Sequence, residues 1–399
     1  MTNIFLVWIM DVFSLNQVNK YILKKHHLTN TSKSNNIIQI VEDICGLHST
    51  EVTTPYLSLF IRANDFKKSD LERELFINKN LGRIRGMRKT LFIQTKKLIP
   101  IVFSATFNLV ERTFEKYMEF HKVTLEEYEK FSRLIIELLN GKEMSASEIR
   151  NALNSKANIP AIIQLMCNKN ILIRAGYIRD WKDRRNKYAL FTNYFPDINL
   201  KKYTEKEAIK SLVEKFIATY GPVSEVDISW WTGLTKSKIR NTLKNIESDI
   251  IQIKISSIKG SFIVSNFDIN NLQNKWNLDN PSLVLLPALD PLPMGYKDRD
   301  RYIDVKNYNY IFDRSGNITS TIIFDGSIIG VWDVEEKPEP TIKFHLFHSI
   351  GKDLLEIIYS KAEKIGQFYF DSIVKIKQSK SMTSLSKRSA GGFMNPLKE

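Results

Sequence analysis

The sequence predicts an α+β fold in which tandem winged-helix domains precede a C-terminal antiparallel β domain. Three stretches in the first two thirds of the chain each place short amphipathic helices before a pair of strands. From about residue 267 onward, short apolar runs alternate with turn-forming pairs such as Asp325-Gly326. Because Asp-Gly is a strong signal for a two-residue hairpin turn, this second region is predicted to be a sheet of hairpins.

The first winged-helix unit is predicted over residues 12–95. One of its helices ends at Gly46, since glycine adopts the left-handed conformation that closes a helix without strain. The next helix begins at Thr54-Pro55, an N-cap followed by proline at the first helical position. Residues 83–95, with a bend at Gly86, are predicted to form the basic strand pair that completes the unit.

The second unit is predicted over residues 141–198, after connecting helices at residues 97–140. Ser145 and Glu148 form a capping box that opens its first short helix. Its strand pair carries a tip rich in Lys and Arg at residues 182–187. A hairpin with a basic tip is suited to contact nucleic-acid phosphates.

The third unit is predicted over residues 203–266 and has the same order of elements. Thr204 and Glu207 form another capping box, and Thr235 caps a later short helix. That helix turns Ile239 inward and leaves its basic side chains outward, so it is either a recognition helix or a solvated surface helix.

The C-terminal region is predicted to be an antiparallel, barrel-like β domain over residues 267–377. Residues 351–364 have the apolar spacing of a helix that packs on this domain. The remaining residues, 378–399, are rich in Ser and Lys and are expected to be a partly docked tail.

The composition favours a nucleic-acid partner. The 399 residues include 58 Lys and Arg against 44 Asp and Glu, which gives a net charge of +14. Such an excess favours binding to a polyanion, although a merely basic cytosolic protein is the alternative. No apolar run reaches the ~20 residues that a membrane helix requires. Residues 4–10 lack the flanks of a signal peptide, so a cytoplasmic location is expected.

The sequence predicts neither a cofactor nor a metal ion. Cys45 and Cys167 are too few for a zinc site and are expected to be small buried side chains. There is no phosphate-binding loop, no dinucleotide fingerprint and no cluster of residues with metal-ligand spacing. We expect a monomer whose partner is double-stranded DNA.

Four blocks of the sequence resemble one protein family. They are Gly46-Leu47-His48-Ser49-Thr50 with the Pro55-Tyr56-Leu57-Ser58-Leu59-Phe60-Ile61-Arg62 that follows it; Arg85-Gly86-Met87-Arg88-Lys89-Thr90-Leu91-Phe92; residues 285–299 around Asp290; and Gly391-Gly392-Phe393-Met394-Asn395-Pro396-Leu397. Together they are similar to the winged-helix DNA glycosylases that unhook interstrand crosslinks, the AlkZ-like and YcaQ-like group. The resemblance implies a DNA repair glycosylase that excises N7-alkylated or crosslinked purines, and docking of residues 393–397.

The resemblance also implies where the catalytic residues lie. In the family, two polar side chains flank one small or apolar residue, usually two glutamines or a glutamine and an aspartate. Here these positions are His48 and Thr50, which flank Ser49, and this is a departure from the family pattern. His48 is expected to orient or deprotonate the attacking water, because its ordinary pKa suits a general base, and Thr50 to position that water. Asp290 either supplies a carboxylate to the same cleft or caps a turn.

The basic residues expected to contact DNA lie in the two hairpin tips and on the outward face of the third unit's helix. For Arg85, Arg88 and Lys89 in the tip of the first unit, the alternative to DNA contact is a role as partners in structural ion pairs. The residues are Arg85, Arg88, Lys89, Arg184, Arg185, Lys187, Lys236, Lys238, Arg240 and Lys244. A non-catalytic, regulatory winged-helix DNA-binding protein is the alternative function, and an interaction scaffold is a third.

Overall fold

The structure, a computed structural model, describes residues 11–273 and 281–385. Helices and strands are mixed along the whole of this length, which confirms the predicted α+β class. The expectations for residues 4–10 and 393–397 fall outside the described residues. None of the described helices is both long and apolar enough to span a membrane.

The described chain begins with a strand and a helix, β1 (Val12–Phe13) and α1 (Leu15–Lys25). β1 pairs in parallel with residues 254–255 of the third unit. In α1, the Tyr21 hydroxyl and the Lys25 ammonium both donate to Asp268, at 2.6 and 2.7 Å. Residues 12–25 therefore pack with the third unit, and assigning them to the first unit was wrong. Periodicity reveals an apolar helix face but does not reveal which neighbour buries it.

The first unit has the order helix, strand, helix, helix, strand, strand. These elements are α2 (Ile37–Asp43), β2 (Leu47–His48), α3 (Thr54–Arg62), α4 (Lys68–Glu72), β3 (Leu81–Arg85) and β4 (Leu91–Thr95). A π-helical turn, Arg73–Ile77, continues α4. The three strands form an antiparallel sheet in the order β2-β4-β3, so β4 lies between the strand that carries His48 and the basic strand β3.

Two helices, α5 (Leu98–Glu111) and α6 (Phe114–Phe120), lead into the second unit. That unit has the same order and is followed by a short helix. Its elements are α7 (Leu125–Leu138), β5 (Met144–Ser145), α8 (Ala146–Leu153), α9 (Ile159–Asn168), β6 (Leu172–Tyr177), β7 (Asn186–Leu190) and α10 (Phe191–Tyr194). Phe131 and Ile135 of α7 share one apolar core with α9. Hence α7 is the first helix of this unit, and the predicted boundary at residue 141 was too late.

The third unit repeats the order, with an isolated bridge between Val223 and Ile263 in place of its first strand. Its elements are α11 (Glu205–Tyr220), α12 (Glu225–Thr232), α13 (Lys236–Asn245), β8 (Ile250–Ile255), β9 (Phe262–Ser265) and α14 (Asn266–Gln273). The predicted caps Thr204 and Thr235 accept backbone hydrogen bonds from the third residue after each cap. The sheet order is β1-β8-β9.

The C-terminal domain is a five-stranded sheet covered by a long helix. Its elements are β10 (Leu283–Leu286), α15 (Pro291–Met294), α16 (Tyr308–Ile311), β11 (Thr321–Phe324), β12 (Ser327–Glu335), β13 (Thr341–Leu346), α17 (Lys352–Phe370) and β14 (Lys375–Gln378). The strand order is β10-β11-β12-β13-β14, and the turn between β11 and β12 is the predicted Asp325-Gly326.

The sheet is open within the described residues, because its edge strands β10 and β14 do not pair with each other. The barrel-like expectation was therefore wrong. The sheet is also not purely antiparallel, since β14 runs parallel to β13. A parallel pair needs a crossover connection, and α17 provides it.

Candidate active site

A glycine-dependent turn carries the chain from α2 into β2. Cys45 and Gly46 both have positive φ, of 56° and 100°. A Cβ atom on Gly46 would lie 2.3 Å from the side-chain nitrogen of Gln94, which donates a hydrogen bond to the Cys45 carbonyl. Only glycine combines this backbone angle with such a close approach. The turn therefore fixes where His48 enters the sheet.

His48 is buried on the face of the sheet that looks toward the third unit. Its side chain is 1% exposed, and its ring meets the edge of Phe92 at a centroid distance of 5.1 Å. Neither ring nitrogen has a hydrogen-bond partner within the described residues. Burial and the nearby charge of Arg88 lower the pKa of His48 to about 3. The imidazole is therefore neutral near pH 7, with one nitrogen able to donate a hydrogen bond and the other able to accept one.

Hydrogen bonds from two arginines connect the residues after His48 to the second unit. Buried Arg83 donates to the Ser49 hydroxyl at 3.1 Å, to the Ser49 carbonyl at 2.7 Å, and to the amide oxygen of Asn186 at 3.2 Å. Arg184 donates to Glu51 at 2.7 Å. Thr50, by contrast, is exposed. His48 and Thr50 thus lie at different depths, one inside the protein and the other at its surface.

Asp290 joins α3 to the C-terminal domain. It is 0% exposed, and so is Arg62, whose two terminal nitrogens donate to the two carboxylate oxygens at 2.8 and 2.7 Å. The Ser58 hydroxyl and the backbone N–H of Leu292 donate as well, at 2.9 and 3.0 Å, so that Asp290 caps α15. A carboxylate accepts about four hydrogen bonds. All the acceptor positions of Asp290 are therefore in use.

In the turn between β3 and β4, Arg88 faces the third unit, whereas Arg85 at the end of β3 lies near Arg174 of the second unit. Arg88 and Lys89 have positive φ, of 51° and 60°, which is uncommon for residues with side chains. The Arg88 guanidinium lies 4.7 Å from the ring centroid of Trp230 in α12. Burial lowers the pKa of both Arg85 and Arg88, and the Nε of each is buried without a partner among the described residues. Arg88 thus places a half-buried positive charge beside His48, whereas Lys89 is exposed.

Comparison with known proteins identifies the family. The sequence model of the family described as "DNA glycosylase AlkZ-like" matches residues 41–368. The chain belongs to the AlkZ-like DNA glycosylase family. A solved structure, DNA glycosylase AlkZ of Streptomyces sahachiroi, is similar in fold with a TM-score of 0.75 and 14% sequence identity, over 92% of this chain and 99% of that chain. A search of curated protein sequences finds no match.

Membership confirms both the family resemblance and the enzyme class predicted from the sequence. An AlkZ-like glycosylase is a hydrolase that acts on DNA. The described residues contain no group of three or more His, Cys, Asp and Glu that could hold a metal ion. Both cysteines are free and buried, as the sequence predicted.

The other predicted DNA contacts of this AlkZ-like glycosylase are exposed but partly neutralised. In the hairpin tip of the second unit, Arg185 is paired with Asp183 at 2.7 Å, and Lys187 is exposed. In α13, Lys238 is paired with Glu205, and Arg240 with Glu225. Two further residues of α13 are exposed and make no ion pair in the described part of the chain: Lys236 and Lys244.

Sequence reasoning missed two residues that organise the site of this glycosylase. Arg83, which holds Ser49, is 7% exposed at a strand position where an apolar side chain is expected. The sequence feature that could have indicated Arg83 is a charged residue next to the apolar Ile84, in a strand that is buried on both faces. Trp230 was also missed, because adjacent tryptophans in a short helix usually indicate only a core.

Proposed function

We propose that this AlkZ-like glycosylase hydrolyses the N-glycosidic bond of N7-alkylated or crosslinked purines in double-stranded DNA. The supporting observation is the state of His48, which is neutral, buried and unpartnered at both ring nitrogens within the described residues. Buried polar groups normally have a hydrogen-bond partner. Two unused ring nitrogens on the catalytic loop of a glycosylase therefore favour a partner that arrives with the substrate, namely the attacking water and the nucleotide.

The chemistry that we propose needs little proton abstraction. An N7-alkylated purine already carries positive charge and leaves readily, and its departure leaves an oxocarbenium-like sugar that water attacks. With a pKa of about 3, His48 is too weak a base to remove a proton early. We infer that it orients the water by hydrogen bonding, as the amide of a glutamine could, and that Thr50 holds the water from the solvent side.

Because His48 is closed from solvent, the proposal requires an opening. A base inside a duplex cannot reach a buried side chain unless the nucleotide is flipped out of the stack. Apo geometry often tightens or rearranges when the substrate binds. We propose that the exposed loop around Thr50 moves to give the nucleotide access to His48, because the Arg88 turn is packed against α12.

We propose that the three units with the order helix, strand, helix, helix, strand, strand are winged helices that together form the DNA-binding face. The family membership and the repeated order support this proposal. Their phosphate contacts would be Arg85, Arg88 and Lys89 of the first unit, Arg184, Arg185 and Lys187 of the second, and Lys236, Lys238, Arg240 and Lys244 of the third. To Asp290 we assign a structural role, since no acceptor position remains for a substrate.

The test is base release from a duplex that carries a single N7-methylguanine, followed by alkaline cleavage of the abasic site. A second duplex with an N7-linked interstrand crosslink tests the crosslinked substrate class. His48→Ala should lower the rate by about 10²–10³-fold, the usual cost of removing one preorganised hydrogen-bonding group from an active site. His48→Gln should retain more activity, because the amide also offers a donor and an acceptor.

The matched control is His348→Ala, which removes an exposed histidine of the C-terminal domain and should leave the rate unchanged. Equal rates for the wild type and His48→Ala would remove His48 from the mechanism. Tight binding without base release from either duplex would overturn the proposed substrate class.

A further inference from the structure

Trp230 brings together three cationic side chains that are distant in sequence. The Arg88 guanidinium carbon lies 4.7 Å from the centroid of its ring, the Lys297 ammonium 4.8 Å and the Arg299 guanidinium carbon 5.7 Å. Arg88 belongs to the first unit, Trp230 to the third, and the other two follow α15 of the C-terminal domain. We call these four residues the Trp230 cluster.

The Trp230 cluster has a rigid base. Arg299 is 3% exposed and donates to the Gly316 carbonyl at 2.7 Å and the Tyr308 hydroxyl at 2.9 Å, while its guanidinium lies 3.6 Å from the ring centroid of Phe312. A Cβ on Gly316 would lie 3.1 Å from the indole of Trp230, so the loop packs directly against it. Arg299 and the indole are therefore fixed before any ligand binds.

The cations of the cluster repel one another, and nearby carboxylates compensate only part of their charge. Burial and the charge of Arg299 lower the pKa of Arg88 to about 10. Neither Arg88 nor Lys297 forms an ion pair within the described residues, whereas Arg299 has the charges of Asp227 and Asp313 in its neighbourhood. Contact with an aromatic face stabilises each cation, but it does not neutralise the charge. Such a site favours an anion.

The Trp230 cluster is close to the buried histidine. Arg88 lies near enough to His48 to lower the pKa of its ring, and it also contacts Trp230. A second connection runs through rings, from His48 to Phe92 at 5.1 Å and from Phe92 to Trp231 at 6.3 Å. Arg88 is therefore common to the anion site and to the surroundings of His48.

We propose that the Trp230 cluster binds the backbone phosphate next to the nucleotide whose base is excised. The indole is already in contact with three cations, so the ligand is a phosphate and not a stacked base. Exposed Lys297 and half-buried Arg88 donate to that phosphate, and Trp230 with Arg299 positions them. This rests on the proposed function only for the identity of the neighbouring nucleotide.

The first measurement is the salt dependence of DNA binding by Lys297→Gln, a substitution at an exposed position that leaves the buried residues in place. Loss of one phosphate contact lowers the slope of log K against log salt by about one. Between 50 and 200 mM salt, the wild type should therefore lose roughly three- to fourfold more affinity than the variant. Lys352→Gln on α17, where the side chain is 88% exposed, is the matched control and should keep the wild-type slope.

The second measurement identifies the phosphate. Uncharged methylphosphonate linkages are placed one at a time along the strand that carries the N7-methylguanine. A linkage flanking the lesion should weaken binding by the wild type and by Lys352→Gln, and should weaken binding by Lys297→Gln clearly less, because only the Arg88 contact remains to be lost. An unchanged salt slope would overturn the anion site. The place of the site beside the target nucleotide would be overturned if both flanking linkages weakened binding equally in the wild type and in Lys297→Gln. It would also be overturned if the effect on Lys297→Gln were smaller only at linkages distant from the lesion. If the wild type releases no base while the slope still changes, the proposed function fails and the anion site stands.

Discussion

Replacing Asp290 with alanine should destabilise the protein far more than it alters the chemistry. Asp290 and Arg62 are both 0% exposed and form a bidentate ion pair, with distances of 2.7 and 2.8 Å between guanidinium nitrogens and carboxylate oxygens. The substitution leaves the Arg62 charge buried without a counter-charge and removes the acceptor of the Ser58 hydroxyl. Breaking a buried pair by deleting one partner typically costs ~3–5 kcal/mol.

The structure places the expected loss near the middle of that range. Arg62 retains two other hydrogen bonds, to the carbonyls of His26 and Ser58, each at 3.0 Å, and these keep the guanidinium in position. The loss of the α15 cap adds about 1 kcal/mol. We therefore expect the free energy of unfolding to fall by about 4 kcal/mol. Replacing both partners with apolar residues, Arg62→Met with Asp290→Leu, should cost much less than the sum of the single changes, because no buried charge remains.

The assay is urea unfolding followed by circular dichroism, together with base release per folded molecule at a temperature where the variant is folded. Glu339→Ala is the control, since it deletes one partner of an exposed pair with Lys375 and should change stability by less than about 1 kcal/mol. A wild-type urea midpoint for Asp290→Ala, combined with a hundredfold loss of base release, would refute the structural role. Asp290 would then be a catalytic carboxylate.

Two further predictions concern β2 and the turn before it. Because the pKa of folded His48, about 3, lies below its ordinary value of 6.5, the unfolded chain binds a proton between those pH values that the folded protein does not. The stability that neutral His48 contributes is present above pH 6.5 and is lost as the pH falls toward 3. When the pH falls from 7 to 5, the free energy of unfolding, measured by urea titration, should therefore decrease by about 2 kcal/mol less for His48→Gln than for the wild type. Equal decreases would contradict this pKa. Gly46→Ala should cost about 2–4 kcal/mol and reduce base release, since the new Cβ meets Gln94 at 2.3 Å. Gly141→Ala, also at positive φ but with nothing within 4 Å, should cost only about 1–2 kcal/mol, and an equal cost for both would show that the contact with Gln94 is unimportant.

Local signals predicted local structure well. The caps at Thr204 and Thr235 and the Asp325-Gly326 turn are where the sequence indicated. Each depends on a few neighbouring residues whose side chains bond their own backbone, so the surroundings hardly matter. Pairings between distant segments were not predictable in this way. β1 joins a sheet more than two hundred residues away, and α7 belongs to the unit after it, because an apolar face does not specify its partner.

The same limit applies to the site. Resemblance to the family indicated the His48 loop and the block around Asp290 as candidates, but the number of hydrogen bonds that Asp290 accepts depends on Arg62 and Ser58, far away in sequence. The depth of His48 depends on Phe92 and on the turn that carries Arg88. Residue types therefore suggested the chemistry, whereas packing decides which groups remain available for it.

The electrostatics of the free protein oppose the reaction that we propose, and bound DNA would reverse this. Arg88 makes the surroundings of His48 electropositive, whereas the departing base leaves positive charge on the sugar. A phosphate at the Trp230 cluster would neutralise part of the Arg88 charge. It would also raise the pKa of His48 and so strengthen its hydrogen bond to the water. In this arrangement the substrate supplies the negative charge that the His48-Ser49-Thr50 loop lacks, and the arginines then serve to place that charge beside the bond that breaks.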